Sequence, residues 1–226
     1  MGKKIAFALD VQDLNTAYAI LEEIKGLDII IKIGYVLFIQ GGEKLIKDIK
    51  NSGFEIFLDL KLHDIPNTVF NGVYAAGKLG VDYLTIHTLG GVDMIKKAVE
   101  AKKESNIKLL GVTILTSHGK EYEEYIGTRY SLKELAIKLA QTGIEAGLDG
   151  IVCSAEEVKD IKNKIKKDFL AVVPGIRLAG GESDDQTRIS TPQKAIQSGA
   201  DILVIGRPIL NSKNKKETIL QILSEI

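Results

Sequence analysis

In FLDLKLHDIPNTV, Phe57 to Val69, Asp59, Lys61 and Asp64 follow a run that otherwise reads as a buried strand. Residues two apart on a strand point to the same face, so Asp59 and Lys61 share a side and lie within reach of each other. Lys32 interrupts IIIKIG and Asp10 closes IAFALD, so three successive strands each deliver charge to one rim. A lysine between isoleucines is costly without a counter-ion, and an alternating Asp/Lys cluster supplies one. Two readings follow. The cluster is an ion-pair network holding strand ends together, with Asp64 as polar chemistry at a helix start before Pro66, or it is a reaction site. A structural rim is more cheaply built from apolar packing, and charge clusters in clefts concentrate where reactions occur. Taken together, the residues favour the catalytic reading.

A second constellation comes late in the chain, where VVPGIR and VIGRPI set Gly175, Arg177, Gly206 and Arg207 behind two strands. Glycine lets a backbone approach an anion closely, a guanidinium offers a donor fork matched to phosphate oxygens, and Pro208 suits the first position of a helix. These loops are expected to bind phosphate, on the side opposite the Asp/Lys cluster. His63, His87 and His118 fall on different elements without the i, i+4 spacing of a helical zinc site. Packing, capping or loop roles are expected of them, and no metal site. The chain holds no serine-centred elbow and no P-loop.

Eight strand candidates position these residues: KIAFAL, IIIKIG, EIFLDLK, YLTIHT, KLLGVTIL, GIVCS, FLAVVPGI and ILVIGR. Amphipathic segments such as Asp13 to Ile24 and Ser131 to Ala146 lie between them, the latter opening with Ser131 and Glu134 at capping-box spacing. Near-continuous apolar strands, each followed by a helix, are what a parallel sheet buried on both faces requires. The pattern predicts one (β/α)8 barrel over residues 1–226, with an open doubly wound sheet as the alternative. Two long connections, TSHGKEYEEYIGTRY and RLAGGESDDQTRIS, leave the fifth and seventh strands at the ends where barrel enzymes build their sites.

The chain has 226 residues with 45% hydrophobic content, enough for one sizeable core. Lys+Arg and Asp+Glu both total 30, so no global basic field draws nucleic acid or an anionic membrane, and any anion must be caught locally. The single cysteine, Cys153, excludes an internal disulfide and is expected as a small buried thiol in a reducing compartment. No signal-peptide core, myristoylation motif or membrane-spanning run is present in the sequence. A soluble cytoplasmic protein is expected.

With these residues in order, the chain resembles the bacterial-type orotidine 5'-monophosphate decarboxylases over essentially its whole length. DLKLHDIPNT carries the resemblance most specifically. ALD at Asp10, KIG at Lys32, GVTILTS with Thr116, PGIR with Arg177, DDQTR with Gln186, and VIGR at Gly206 and Arg207 match in the same order. The resemblance implies a homodimeric barrel that converts orotidine 5'-monophosphate to UMP, in the last step of pyrimidine biosynthesis, without a cofactor. It implies Lys61 beside the carbon that loses CO2, as stabilising charge and proton donor, and Asp59 facing the substrate carboxylate. Lys32 would link the acids and, with Asp10, lie near the ribose hydroxyls. Asp64 and Thr68 would serve the neighbouring subunit's site, and Thr116 and Gln186 would join the substrate contacts. The loop from Arg177 to Ser190 would close over phosphate, with Gly180 and Gly181 absorbing the backbone change. Magnesium-dependent sugar-phosphate decarboxylases and aldolases share the barrel and the Asp-x-Lys pattern, but are expected to carry an acid where this chain has Lys32. A non-catalytic phosphopyrimidine-binding barrel would be expected to lack Lys61 or part of the charge set.

Overall fold

The computed structural model describes residues 4–178 and 189–226. Strands β1 (Lys4–Ala8), β2 (Ile30–Ile33), β3 (Glu55–Leu62), β4 (Tyr83–His87), β5 (Lys108–Val112), β6 (Gly150–Val152), β7 (Leu170–Val173) and β8 (Ile202–Ile205) pair in sequence order. All pairings are parallel, and β8 returns to β1, closing the barrel. The open-sheet alternative is therefore set aside.

Helices α1 (Leu14–Glu23), α2 (Tyr35–Asn51), α3 (Pro66–Lys78), α4 (Gly91–Ala101), α5 (Glu121–Tyr125), α6 (Leu132–Glu145), α7 (Ala155–Lys164), α8 (Pro192–Gln197), α9 (Arg207–Leu210) and α10 (Lys215–Ser224) follow the strands. Asp13 caps α1 through the Thr16 N–H, and the Ser131/Glu134 capping box starts α6 as its spacing predicts. Helix α5 interrupts what reads in the sequence as one long loop. Its first turn is rich in glutamates, which suit the positive end of a helix. In α9, Arg207 takes the first helical position and Pro208 the second, so the proline sits one residue later than its preference suggests.

Alternation along each strand divides the apolar residues into two layers. Ala6, Ile30, Phe57, Tyr83, Leu110, Val172 and Ile202 fill the barrel interior. Their neighbours, including Ile5, Phe7, Ile31, Leu58, Leu84 and Leu203, pack outward beneath the helices. Two residues further along, the next inward positions are Ala8, Lys32, Asp59, Thr85 and Val204. The sheet that supplies a packed interior thus delivers polar side chains one layer higher, at its C-terminal rim.

The N-terminal end of the barrel is secured by a repeated device. Asp82, Asp149 and Asp201 each stand just before an even-numbered strand and accept the N–H of Ile56, Leu109 or Ala171 on the preceding odd one. Each also pairs with a helix-side lysine: Lys50, Lys102 or Lys162. Every carboxylate thereby satisfies a strand-end donor and ties a helix to the sheet. No described helix is long and apolar enough to cross a membrane.

Candidate active site

At the C-terminal rim, four charges of alternating sign form a line. Lys32 Nζ lies 3.2 Å from Asp10 Oδ1 and 3.5 Å from Asp59 Oδ2, and Lys61 Nζ donates to both Asp59 oxygens at 2.9 Å. The line is open to solvent at its Asp10 end and shielded in its middle: the Asp10 side chain is 56% exposed, Lys32 9%, Asp59 13% and Lys61 27%. Burial works to raise the Asp59 carboxyl above the ordinary aspartate value. The charges of Lys32 and Lys61, with hydrogen bonds from Lys61 and Thr85, outweigh it and hold the group below that value. The two ammonium groups and the hydrogen bonds thus favour the carboxylate form against the opposing effect of burial.

Lys61 reaches Asp59 by a route the simple i, i+2 argument misses. Its φ is +46°, which makes it the one non-glycine residue in the left-handed region among the described residues, and the β3/β4 register shifts between Leu58 and Leu62. A side chain in this region costs backbone energy and is found where surrounding contacts enforce it. Those contacts are visible. The Lys61 N–H donates to Thr85 Oγ1 at 2.8 Å, and the Tyr35 hydroxyl donates to the Leu60 carbonyl at 2.8 Å. Thr85 Oγ1 in turn donates to Asp59 Oδ1 at 2.9 Å. Sequence reasoning missed both hydroxyls. Thr85 reads as an ordinary β-branched strand residue, and its one signal was polarity inside the apolar run YLTIH.

Asp10, Lys32, Asp59, Lys61, Thr116, Arg177, Gly206 and Arg207 line one cavity of about 550 Å3, together with Gly175 and apolar residues such as Phe57, Val112 and Val204. Cys153 is buried as expected and forms part of this wall. Gly175 has φ +77°, a conformation open to glycine, and the turn after β7 is fixed where Arg177 N–H donates to Ser190 O at 2.8 Å and Ser190 N–H to Gly175 O at 3.0 Å. A Cβ at position 206 would come within 3.3 Å of the Ala8 Cβ, so glycine there keeps β8 close to β1. The closed ring also corrects the expected placement of this second constellation. β7 stands across the barrel from β3, but β8 adjoins β1, so Gly206 and Arg207 lie beside the Asp10 end of the charge line.

Asp64 and Thr68 do not join the cavity of their own chain. Asp64 is exposed and accepts the Ile65 N–H at 2.6 Å; Thr68 is exposed on α3. Gln186, Gly180 and Gly181 lie outside the described residues. The three histidines, expected on separate elements, converge on one small cavity beside the site. His63 and His87 rings are 5.5 Å apart, and His118 stacks on Tyr122 at 3.8 Å. Among the described residues no group of three or more His, Cys, Asp or Glu side chains is arranged to hold a metal ion. Burial, then the nearby His63 and Lys61, push the His87 imidazole down to about 4.

A lysine held beside a largely buried carboxylate, in a cavity that arginines and close-approach glycines from the loops after β7 and β8 also line, is suited to an anionic phosphorylated substrate and to chemistry that develops negative charge. The model of the orotidine 5'-phosphate decarboxylase / HUMPS family matches residues 3–222. The chain belongs to this family. Curated relatives include the orotidine 5'-phosphate decarboxylase of Aquifex aeolicus, 42% identical over 99% of both chains, and that of Carboxydothermus hydrogenoformans, 43% identical over 100% of this chain and 97% of the relative. The crystal structure of the orotidine 5'-phosphate decarboxylase from Lactobacillus acidophilus superposes with a TM-score of 0.88, at 37% identity, covering 99% of this chain and 98% of that one. Like these orotidine 5'-phosphate decarboxylase relatives, the chain is a carboxy-lyase built on a closed parallel barrel.

Proposed function

We propose that this chain decarboxylates orotidine 5'-monophosphate to UMP without metal or organic cofactor, using the Asp10–Lys32–Asp59–Lys61 line as a fixed electrostatic device. The observation that carries the reading is Lys61 Nζ at 2.9 Å from both oxygens of a carboxylate whose side chain is 13% exposed. In the reaction the bond between the ring carbon and the carboxylate breaks, CO2 leaves neutral, and the electron pair stays on the carbon in the ring plane. No ring orbital delocalises that pair, so the stabilisation must be electrostatic. The Lys61 ammonium stabilises the developing carbanion and then donates a proton to it; the resulting amine regains a proton from water. This interaction strengthens as charge develops, so it lowers the barrier rather than merely tightening substrate binding.

Asp59 orients Lys61 through both carboxylate oxygens, and faces the substrate carboxylate. Two like charges about 4 Å apart at an effective dielectric near 20 repel by roughly 4 kcal/mol, a repulsion that relaxes as neutral CO2 departs. Lys32 balances Asp10 and Asp59, and with Asp10 it binds the ribose hydroxyls. Arg177, Gly206 and Arg207 hold the phosphate, Thr116 contacts the pyrimidine, and Gln186 joins the substrate contacts. Asp64 and Thr68, outward-facing on their own chain, complete the site of a second subunit in a homodimer. Exposed Tyr35, Val36, Ile39 and Ile65 near the rim are consistent with a covered surface there.

A fixed ammonium at Lys32, 3.2 and 3.5 Å from the two flanking aspartates, occupies the place where a magnesium-dependent sugar-phosphate relative needs an acidic ligand. Purified protein mixed with orotidine 5'-monophosphate should therefore turn over at the same rate with and without a chelator, followed by the pyrimidine absorbance. Loss of activity in chelator with recovery in magnesium would overturn the metal-free reading.

A further inference from the structure

We propose that Thr85 and Tyr35 are positioning residues that clamp the Leu60–Lys61 peptide from its two ends, and so hold Lys61 in the left-handed conformation that brings its ammonium onto Asp59. The inference deepens the function proposed above and rests on it for its kinetic consequences. The two groups concerned belong to one peptide unit: its C=O accepts from Tyr35 Oη and its N–H donates to Thr85 Oγ1, both at 2.8 Å. A regular β3 would satisfy both through neighbouring strands. Here the β3/β4 register shifts between Leu58 and Leu62, and the side-chain hydroxyls meet the displaced peptide.

Thr85 does more than satisfy a donor. It is 1% exposed, and the oxygen that accepts from the Lys61 N–H donates its own proton to Asp59 Oδ1 at 2.9 Å. One hydroxyl thereby fixes both partners of the Lys61–Asp59 pair relative to β4. A group that donates and accepts at the same atom meets both demands at this size, as the hydroxyl of Thr or Ser does. Valine has the same shape with neither capacity, and would leave the Lys61 N–H without a partner and Asp59 with one bond fewer. Tyr35 acts from the other side, at the start of α2, and needs only to donate.

The test is a set of variants assayed for decarboxylation, with binding of the product UMP and the pH profile as companion readouts. Thr85→Val should lower kcat by about ten- to a hundredfold, the effect expected of a misplaced catalytic group, while KM and UMP affinity stay within about threefold. Its acid limb should move to higher pH, because Asp59 loses a hydrogen bond that favours the carboxylate. Thr85→Ser, which keeps the hydroxyl, should recover most of the turnover. Tyr35→Phe should lower kcat by about two- to tenfold, the worth of one hydrogen bond. Wild-type kcat and an unmoved acid limb in folded Thr85→Val would overturn the clamp, as would a Thr85→Ser enzyme as impaired as the valine variant. If Thr85→Val does not fold, Tyr35→Phe decides, since Tyr35 is 53% exposed and the change deletes one oxygen; an unchanged kcat there overturns the proposal. Hydrogen exchange at the Lys61 amide judges the clamp apart from turnover: it should be slow in the wild type and at least tenfold faster in Thr85→Val, and equal rates reject it. Failure of the wild type to decarboxylate orotidine 5'-monophosphate would instead remove the functional reading, leaving the exchange result to decide the clamp.

Discussion

The catalytic proposal stands or falls on one ammonium. Lys61→Ala should still bind UMP, because Arg177, Gly206 and Arg207 are untouched, yet lose nearly all turnover. A loss smaller than about tenfold, about 1.4 kcal/mol, would exclude Lys61 as the proton donor. The same variant bears on pH. Asp59 has its folded pKa depressed, with burial opposed by Lys32 and Lys61, so its ionisation stabilises the fold above its unfolded value, and that contribution is lost as pH falls through the lower folded value. Deleting Lys61 removes one of the two charges that depress it. The acid end of the stability profile of Lys61→Ala should accordingly shift to higher pH, measured by denaturant titration at successive pH values. Thr85 belongs to the same scale: a buried hydroxyl that touches Asp59 and the Lys61 backbone is marked in sequence only by its polarity inside the apolar run YLTIH.

At the scale of elements, the two ends of the barrel have different tasks. The Asp82, Asp149 and Asp201 bridges tie strand starts to helices far from the cavity. Asp82→Ala should lower unfolding free energy by about 1–3 kcal/mol, since it orphans the Ile56 N–H and Lys50, while leaving kcat within about twofold. A loss of activity without a loss of stability would contradict this division. At the other end, His87 on β4 faces His63, Lys61, Asp59 and His118. Its folded pKa of about 4 lies below the ordinary 6.5, with burial the leading cause. The unfolded chain therefore binds that proton more readily, and the fold loses stability as pH drops from about 6.5 towards 4. His87→Asn should flatten that decline in urea midpoints; an identical slope would mean that other groups cause it.

At the scale of the whole molecule, the outward placement of Asp64 leads to a test of the shared site. If Asp64 serves the neighbouring subunit while Lys61 serves its own, separately inactive Lys61→Ala and Asp64→Ala chains should complement when reassembled together. Random reassortment makes half the dimers mixed, each with one intact site of two, so activity should return to about a quarter of wild type. Chains shown by differential tags to have exchanged, yet no more active than either variant reassembled alone, would place Asp64 outside any shared site.

The eight β-branched runs, each followed by a helix pattern, determined the barrel, because a parallel sheet covered on both faces imposes that periodicity on any sequence that forms it. The line of Asp10, Lys32, Asp59 and Lys61 was legible for a related reason: charges at the ends of apolar strands are conspicuous, and strand alternation states which way Lys32 and Asp59 point. Three matters were decided only by tertiary structure. Barrel closure brought β8 beside β1, so Arg207 adjoins the charge line rather than facing it. The loops after β3 and β5 brought His63 and His118 to the cavity that His87 lines from the end of β4. The register shift turned Lys61 to φ +46° and gave Thr85 and Tyr35 a peptide to hold. Each depends on contacts between residues distant in the chain, whereas the patterns read from sequence are those that neighbouring residues set among themselves.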